Sequence, residues 1–88
     1  MVKKAKILQS NADLNNITDS GIYYINGRTE QLNVPSSNVT NSYLLVFAFS
    51  AYRCTQIILP GNEAYIYYRS TLTDNELWQK WKQVGGLS

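Results

Sequence analysis

Histidine does not occur in this 88-residue chain, and cysteine occurs once, as Cys54. The first absence removes the commonest general acid–base side chain and the usual imidazole ligand of zinc; the second removes any intramolecular disulfide. Charge is also scarce, at 16% of residues, with eight Lys and Arg against six Asp and Glu for a net +2. Three of the lysines crowd into the opening "MVKKAK", so the imbalance builds no basic face of the kind that holds a nucleic-acid backbone. Nothing approaches the run of about 18 apolar residues needed to cross a bilayer. Nor is the basic start followed by the apolar core of about 7–15 residues that marks a secretory signal. These absences lead us to expect no nucleic acid, no membrane insertion, no metal or cofactor, and synthesis in the cytoplasm without a leader.

Apolar residues make up 44% of the chain, which is a globular proportion. The length allows one domain, and a chain this short buries only roughly 60% of the surface exposed when unfolded, so contacts with other copies or neighbours would help it. The aromatic inventory is rich in tyrosine: seven Tyr against two Phe and two Trp. Tyrosine carries an apolar ring and a polar tip, and it suits interfaces and half-buried faces.

Along the chain, "NADLNNITDSG" is dense in residues whose side chains bond to nearby backbone and so favour caps and turns. Asp13 to Ile17 can hold one helical turn with Leu14 and Ile17 inward, and Asp19-Ser20-Gly21 reads as the turn into a strand. "GIYYING" is a β signal closed by the turn pair Asn26-Gly27. Residues 28 to 42 contain Pro35 and no sustained apolar period, so they read as a long connection with at most a short edge strand near Leu32 to Val34. "SYLLVFAFS", 42 to 50, is apolar on both alternating sets and reads as a central strand covered on both faces. "RCTQIILP" and "AYIYYRS" follow after short links, and three strands in succession point to an antiparallel meander. From Thr73, "TDNELWQKWKQV" carries a capping residue with Glu76 three positions on. A short helix that puts Leu77, Trp78 and Trp81 on one face and ends at Gly85-Gly86 is favoured over an extended alternative.

Catalysis finds little support, since the six acids are scattered and Cys54 sits in an apolar strand with Arg53 directed to the opposite face. The chain is therefore expected not to be an enzyme. Alternation in "AYIYYRS" places Tyr65, Tyr67 and Arg69 on one face and Ile66 and Tyr68 on the other, and the arginine marks the first face as the wetter one. Aromatic rings beside Asn, Gln and Arg can hold a sugar, whose pyranose ring has an apolar C–H face and a rim of hydroxyls. The same tyrosines can equally cover a two-layer core or a subunit contact.

Several elements together resemble the pyocin knob domain of phage tail fibres and phage-like bacteriocin fibres: "ADLNNITDSGIYYING" at 12 to 27, "CTQIIL" at 54 to 59, "YYR" at 67 to 69 and "LWQKWKQV" at 77 to 84, in that order. The resemblance implies a virion component, in a phage tail or tail-like particle. It further implies adhesion to bacterial surface glycans, contact with other tail or fibre proteins, and a homo-oligomer with a trimer favoured. Gln56, Arg69, Trp78 and Trp81 match positions of the motifs. Gln56, Trp78 and Trp81 are expected to be internal scaffold, with Arg69 stacked on tryptophan and bonded to Gln56 as one way to close the sheet. Ligand contact is expected at Tyr65, Tyr67, Arg69, Asn38 and Asn41.

The expected fold is mainly β, a small α+β domain with an antiparallel sheet of about four or five strands, a short N-terminal helical turn and a short C-terminal helix or turn. Residues 1–11 form a lead-in, 12–84 the domain core and 85–88 a tail. A structural virion or assembly protein that uses its aromatic face only for oligomer contacts is the alternative function.

Overall fold

A computed structural model describes residues 5–8, 11–26, 32–35, 41–50, 53–61, 64–71 and 78–85. They build one six-stranded sheet in which sequence order is spatial order. The strands are β1 (Lys6–Ile7), β2 (Gly21–Ile25), β3 (Ser42–Ser50), β4 (Arg53–Leu59), β5 (Tyr65–Ser70) and β6 (Lys82–Gly85). β2 to β6 form an antiparallel meander, as the short links imply, while β1 joins the far edge parallel to β2. The sheet thus has six strands where about four or five are expected, with β1 and β6 flanking the β2–β5 core. Lys6–Ile7 and Leu8, read from sequence as lead-in, belong to the folded unit: Leu8 is buried and its N–H donates to Tyr24 O at 3.0 Å.

The helical turn before β2 is a single 3-10 turn, Leu14–Asn16, capped by Asp13, whose carboxylate accepts from Asn15 N at 2.9 Å. Leu14 is fully buried and Ile17 packs beside it, as the pattern predicts. At the other end the outcome differs. The favoured C-terminal helix is not what residues 78–85 form: Trp78 bridges Thr71 in antiparallel fashion, and Lys82–Gly85 is a strand on β5 with Tyr67 opposite Gln83. The capping pair Thr73 and Glu76 and the inward Leu77 lie outside the described residues. The open edge of β5 offers a ladder of backbone groups, which outweighs a weak local helix preference. Leu32 likewise makes only an isolated bridge to Asp13 rather than an edge strand.

The core lies on one side of the sheet. Tyr23 and Ile25, Leu44 and Val46, and Cys54 and Ile58 point into it from three neighbouring strands, and Leu8, Leu14, Ala12, Ile17 and Val34 cover them together with Trp78 and Trp81. Each fully buried Leu, Ile or Val contributes about 1.5–3 kcal/mol of burial. The opposite side carries no second layer among the described residues. β3 is accordingly not covered on both faces: Leu44 and Val46 are buried, but Tyr43 and Phe47 are exposed at 47% and 59%.

Sterics set one glycine and three asparagine positions. A side chain on Gly61 would bring its Cβ within 2.6 Å of Asn41 O, so the β4–β5 turn can pass β3 there only as glycine. Asn11, Asn33 and Asn41 all have φ near +60°, the left-handed region that asparagine tolerates better than other side chains.

Candidate functional site

Beneath the sheet, a polar clamp sits within the apolar core. Gln56 lies opposite Arg69 in the β4–β5 register, both on the covered face. Gln56 is fully buried and Arg69 is 4% exposed. Gln56 Oε1 accepts from Arg69 Nε at 3.0 Å, and Gln56 Nε2 donates to Leu14 O at 2.7 Å and Ile17 O at 3.0 Å. The Arg69 guanidinium lies 4.3 Å from the Trp78 ring centroid and 4.5 Å from that of Trp81. Those indoles in turn donate, Trp78 Nε1 to Asn15 O at 3.1 Å and Trp81 Nε1 to Asn33 O at 2.9 Å. Four side chains therefore tie the sheet to both segments that cover it, 11–17 and 32–35. Asn33 and Asp13 join those two segments directly, through a 2.6 Å bond from Asn33 Nδ2 to Asp13 Oδ1.

Burying this cation has an electrostatic cost. Arg69 is pushed down to about 10, chiefly by desolvation and partly against the favourable charge of Asp13, so it stays protonated at neutral pH. Among the described residues Arg69 Nη2 has no hydrogen-bond partner, which leaves stacking on the two indole faces as the compensation on that side. Burial also raises the Cys54 thiol, opposed by Arg69, and raises the Tyr23 phenol, with Asp19 adding to it. Cys54 is thus a neutral, buried thiol rather than an activated nucleophile.

This geometry corrects the reading of the β5 faces. Tyr65, Tyr67 and Arg69 do share a side, but it is the covered one: Tyr67 lies opposite Ile58 and packs on the core, and Ile66 and Tyr68 are on the outer face. The arginine does not mark the wet side, because two indole rings and a glutamine give its charge an interior partner set. Tyr65 and Tyr67 are half-buried and meet edge to face, 5.3 Å between centroids.

Asn41 stands at the start of β3, exposed, its N–H donating to Ile25 O at 2.7 Å and its side chain accepting from Tyr24 Oη at 3.3 Å. Asn41 adjoins Gly61 across the sheet, and Tyr65 opens β5 just after that turn, so Asn41 and Tyr65 share one end of the sheet while Arg69 is set back beneath it. Asn38 lies outside the described residues. No group of three or more His, Cys, Asp or Glu able to hold a metal occurs among the described residues.

The sequence reading missed the outer face. Tyr24 and Tyr43 pack edge to face there at 5.2 Å, and Ile22, Leu59, Phe47 and Phe49 are exposed, Phe49 at 92%. A signal was present: Arg53 and Thr55 alternate with Cys54 and Gln56 along β4, and two polar side chains on that side are poor lining for a second core.

No family model matches the chain, and no curated protein matches it. Among solved structures, an N-truncated R2-type pyocin tail fiber is similar, with a TM-score of 0.79 and 19% identity over 96% of this chain and 34% of that one. The chain therefore spans about a third of that fibre's length. At this identity the likeness is one of fold, and the expectation of a pyocin tail-fibre-like domain is met at that level.

Proposed function

We propose that this chain is a non-enzymatic tail-fibre module of a phage or tail-like particle that adheres to bacterial surface glycans as a homo-oligomer, a trimer being favoured. The observation that carries the reading is the fold, shared across 96% of the chain with part of a pyocin tail fibre. The glycan contact is assigned to the end of the sheet where Asn41 and Tyr65 stand, with Tyr67 behind and the connection bearing Asn38 beginning and ending there. A tyrosine ring there offers a stacking surface for a pyranose, and asparagine offers both a donor and an acceptor for its hydroxyls. Arg69 contributes from beneath by holding β4 and β5 in register. Single contacts of this size are weak, and several copies acting together supply the avidity. The test is an array of bacterial saccharides probed with the purified chain and with Asn41→Ala and Tyr65→Ser. Adhesion predicts binding that both variants weaken without loss of the circular-dichroism signal. A stable oligomer by light scattering that binds no saccharide even at high density sinks it.

A second reading, assembly without sugar binding, is favoured by the exposed outer face. Phe49, Phe47 and Tyr43 are large apolar side chains on one side of the sheet, a pattern typical of protein contact surfaces. Tyr43→Glu separates the readings: if it abolishes oligomerisation and the array signal falls with it to that of a single weak site, the outer face assembles the copies whose avidity the Asn41 end needs, whereas an oligomer that it breaks but that bound no saccharide beforehand leaves assembly as the sole role.

A further inference from the structure

We infer that the depression at the other end of the sheet, where β3 passes to β4, is a seat for the Phe49 ring of a second copy of this chain. This contact rests on the reading of the outer face as an assembly face, and it supplies the partner and the residues that meet. The depression is shallow and open, about 600 Å³ in volume, with Ser20, Phe47, Ala48, Cys54, Thr55 and Ser70 among its lining residues. Six residues of strand separate Asn41 from Phe47, about 20 Å at the rise of a β-strand, so a contact centred here is set apart from the proposed glycan end.

The polar groups around the depression are already engaged within the chain. Ser20 Oγ accepts from Ala48 N at 2.8 Å and donates to Ala48 O at 3.2 Å. The Thr55 and Ser70 hydroxyls bond each other at 2.8 Å, and Thr71 Oγ1 accepts from Cys54 N at 3.1 Å. Arg53, exposed at the rim, also has a partner within the chain. Cys54 adds a buried thiol that burial keeps neutral. An occupant therefore gains little from hydrogen bonds here and is held by apolar contact, for which Phe47, 59% exposed, is the main surface.

The chain carries a matching occupant beside the seat. Ala48 pairs with Cys54 but Ser50 with Arg53, so Phe49 is an extra residue of β3, and a bulge of this kind re-aims its side chain. Phe49 stands 92% exposed, the most of any large apolar side chain among the described residues. Both phenyl rings belong to β3, on one side of the Thr55–Ser70 pair, so a ring from elsewhere can lie over that pair with Phe47 beside it. A cavity of about 150 Å³ already holds a benzene ring, so the depression has room. One surface thus bears both a protruding ring and a seat for it, the condition under which a chain meets copies of itself. Two copies exchanging rings, or several passing them round a closed ring, make the same contact. Arg53, the one charged side chain among the described lining residues, stays at the wet rim, so joining copies buries no cation. Ring and seat alone are smaller than the roughly 800 Å² a side of a stable interface, and the exposed Ile22 and Tyr43 on the same face extend the contact toward it.

The test is sedimentation of the purified chain over a range of concentrations, with Phe49→Ser, which removes the ring, and Thr55→Phe, which fills the seat. Each variant is expected to associate at least about tenfold more weakly than the unaltered chain, the loss typical of a buried anchor ring, with its circular-dichroism signal intact. An equimolar mixture of the two should recover part of the association, because the Thr55→Phe copy still offers Phe49 and the Phe49→Ser copy still offers an open seat. In a mixed sample of labelled and unlabelled chain, an isotope-filtered NOE should connect the Phe49 ring of one copy with the Thr55 methyl of another. Phe49→Ser that associates as tightly as the unaltered chain, a mixture no better than its parts, or an oligomer that lacks the NOE overturns the seat. If Tyr43→Glu still breaks that oligomer, the assembly reading survives without it. A chain that stays monomeric at every concentration overturns both.

Discussion

The two faces of the sheet are built from the same strands and nearly the same residue types, yet they differ in kind. On β3, Leu44 and Val46 are buried while Tyr43 and Phe47, one residue away, are exposed. What separates them is the cover: the 11–17 and 32–35 segments and the two tryptophans lie over one side, fixed there by Gln56 and Arg69. Apolar composition alone does not make a core; a second layer does, and here the second layer is irregular chain held by hydrogen bonds from side chains of the sheet.

Replacing Leu44 with Ala should have the largest effect, because the covered face cannot collapse around the cavity without breaking that layer. We expect a loss of about 2–5 kcal/mol in urea unfolding, enough to unfold much of so small a domain. If Leu44→Ala costs no more than a change on the outer face, the contrast between the faces fails. Gln56→Leu should come next, at about 2–4 kcal/mol, since it strips Arg69 of its acceptor, removes the side-chain donor to Ile17 O and leaves Leu14 O with only the Ile17 N–H. A change in tryptophan fluorescence at lower urea than the circular-dichroism transition would show the cover, which both indoles join, lifting before the sheet melts.

A pH effect sharpens the same contrast. Cys54 and Tyr23, both on the covered face, have folded-state pKa values raised above the ordinary 9.0 and 10.0. The folded state then holds protons that the unfolded state releases, so the stability they contribute is full below pH 9 and declines as pH rises above it. Arg69, lowered to about 10, acts in the opposite sense only above that pH. Thermal unfolding between pH 8 and pH 10 should therefore show a falling midpoint, and Cys54→Ala should flatten the fall. An unchanged slope in that variant would remove the thiol from the account. Least affected in stability should be Phe49→Ser, within about 0.5 kcal/mol, because the ring is in water already. Its effect belongs to self-association, measured by light scattering.

Much of the fold was legible in local patterns. "DLNN" signals its capped turn because an aspartate before a short apolar step satisfies the first free N–H groups, and "GIYYI", "SYLLVFAFS", "RCTQIIL" and "YIYYRS" signal strands through β-branched and aromatic content. The end of the chain was less legible, because "KQVG" has little strand character of its own and pairs only because β5 has an open edge. Lys6–Ile7 is similar, a two-residue strand that exists by docking on β2. Of the candidate site residues, the grouping of Tyr65, Tyr67 and Arg69 follows from alternation, but which side they face does not.

By itself the sequence determined that this protein is a small β domain with one capped turn, a meander, and no histidine or disulfide chemistry to draw on. Strand propensity, turn residues and period-two alternation are local, and they act wherever those residues stand. Only the tertiary structure decided which set of alternating side chains lies inside, and with it that Arg69 is a buried clamp while Phe47 and Phe49 meet the solvent. Alternation distinguishes two faces but gives neither a sign; the sign comes from long-range cover, and a cation can lie beneath that cover when a glutamine and two indole rings are brought to it.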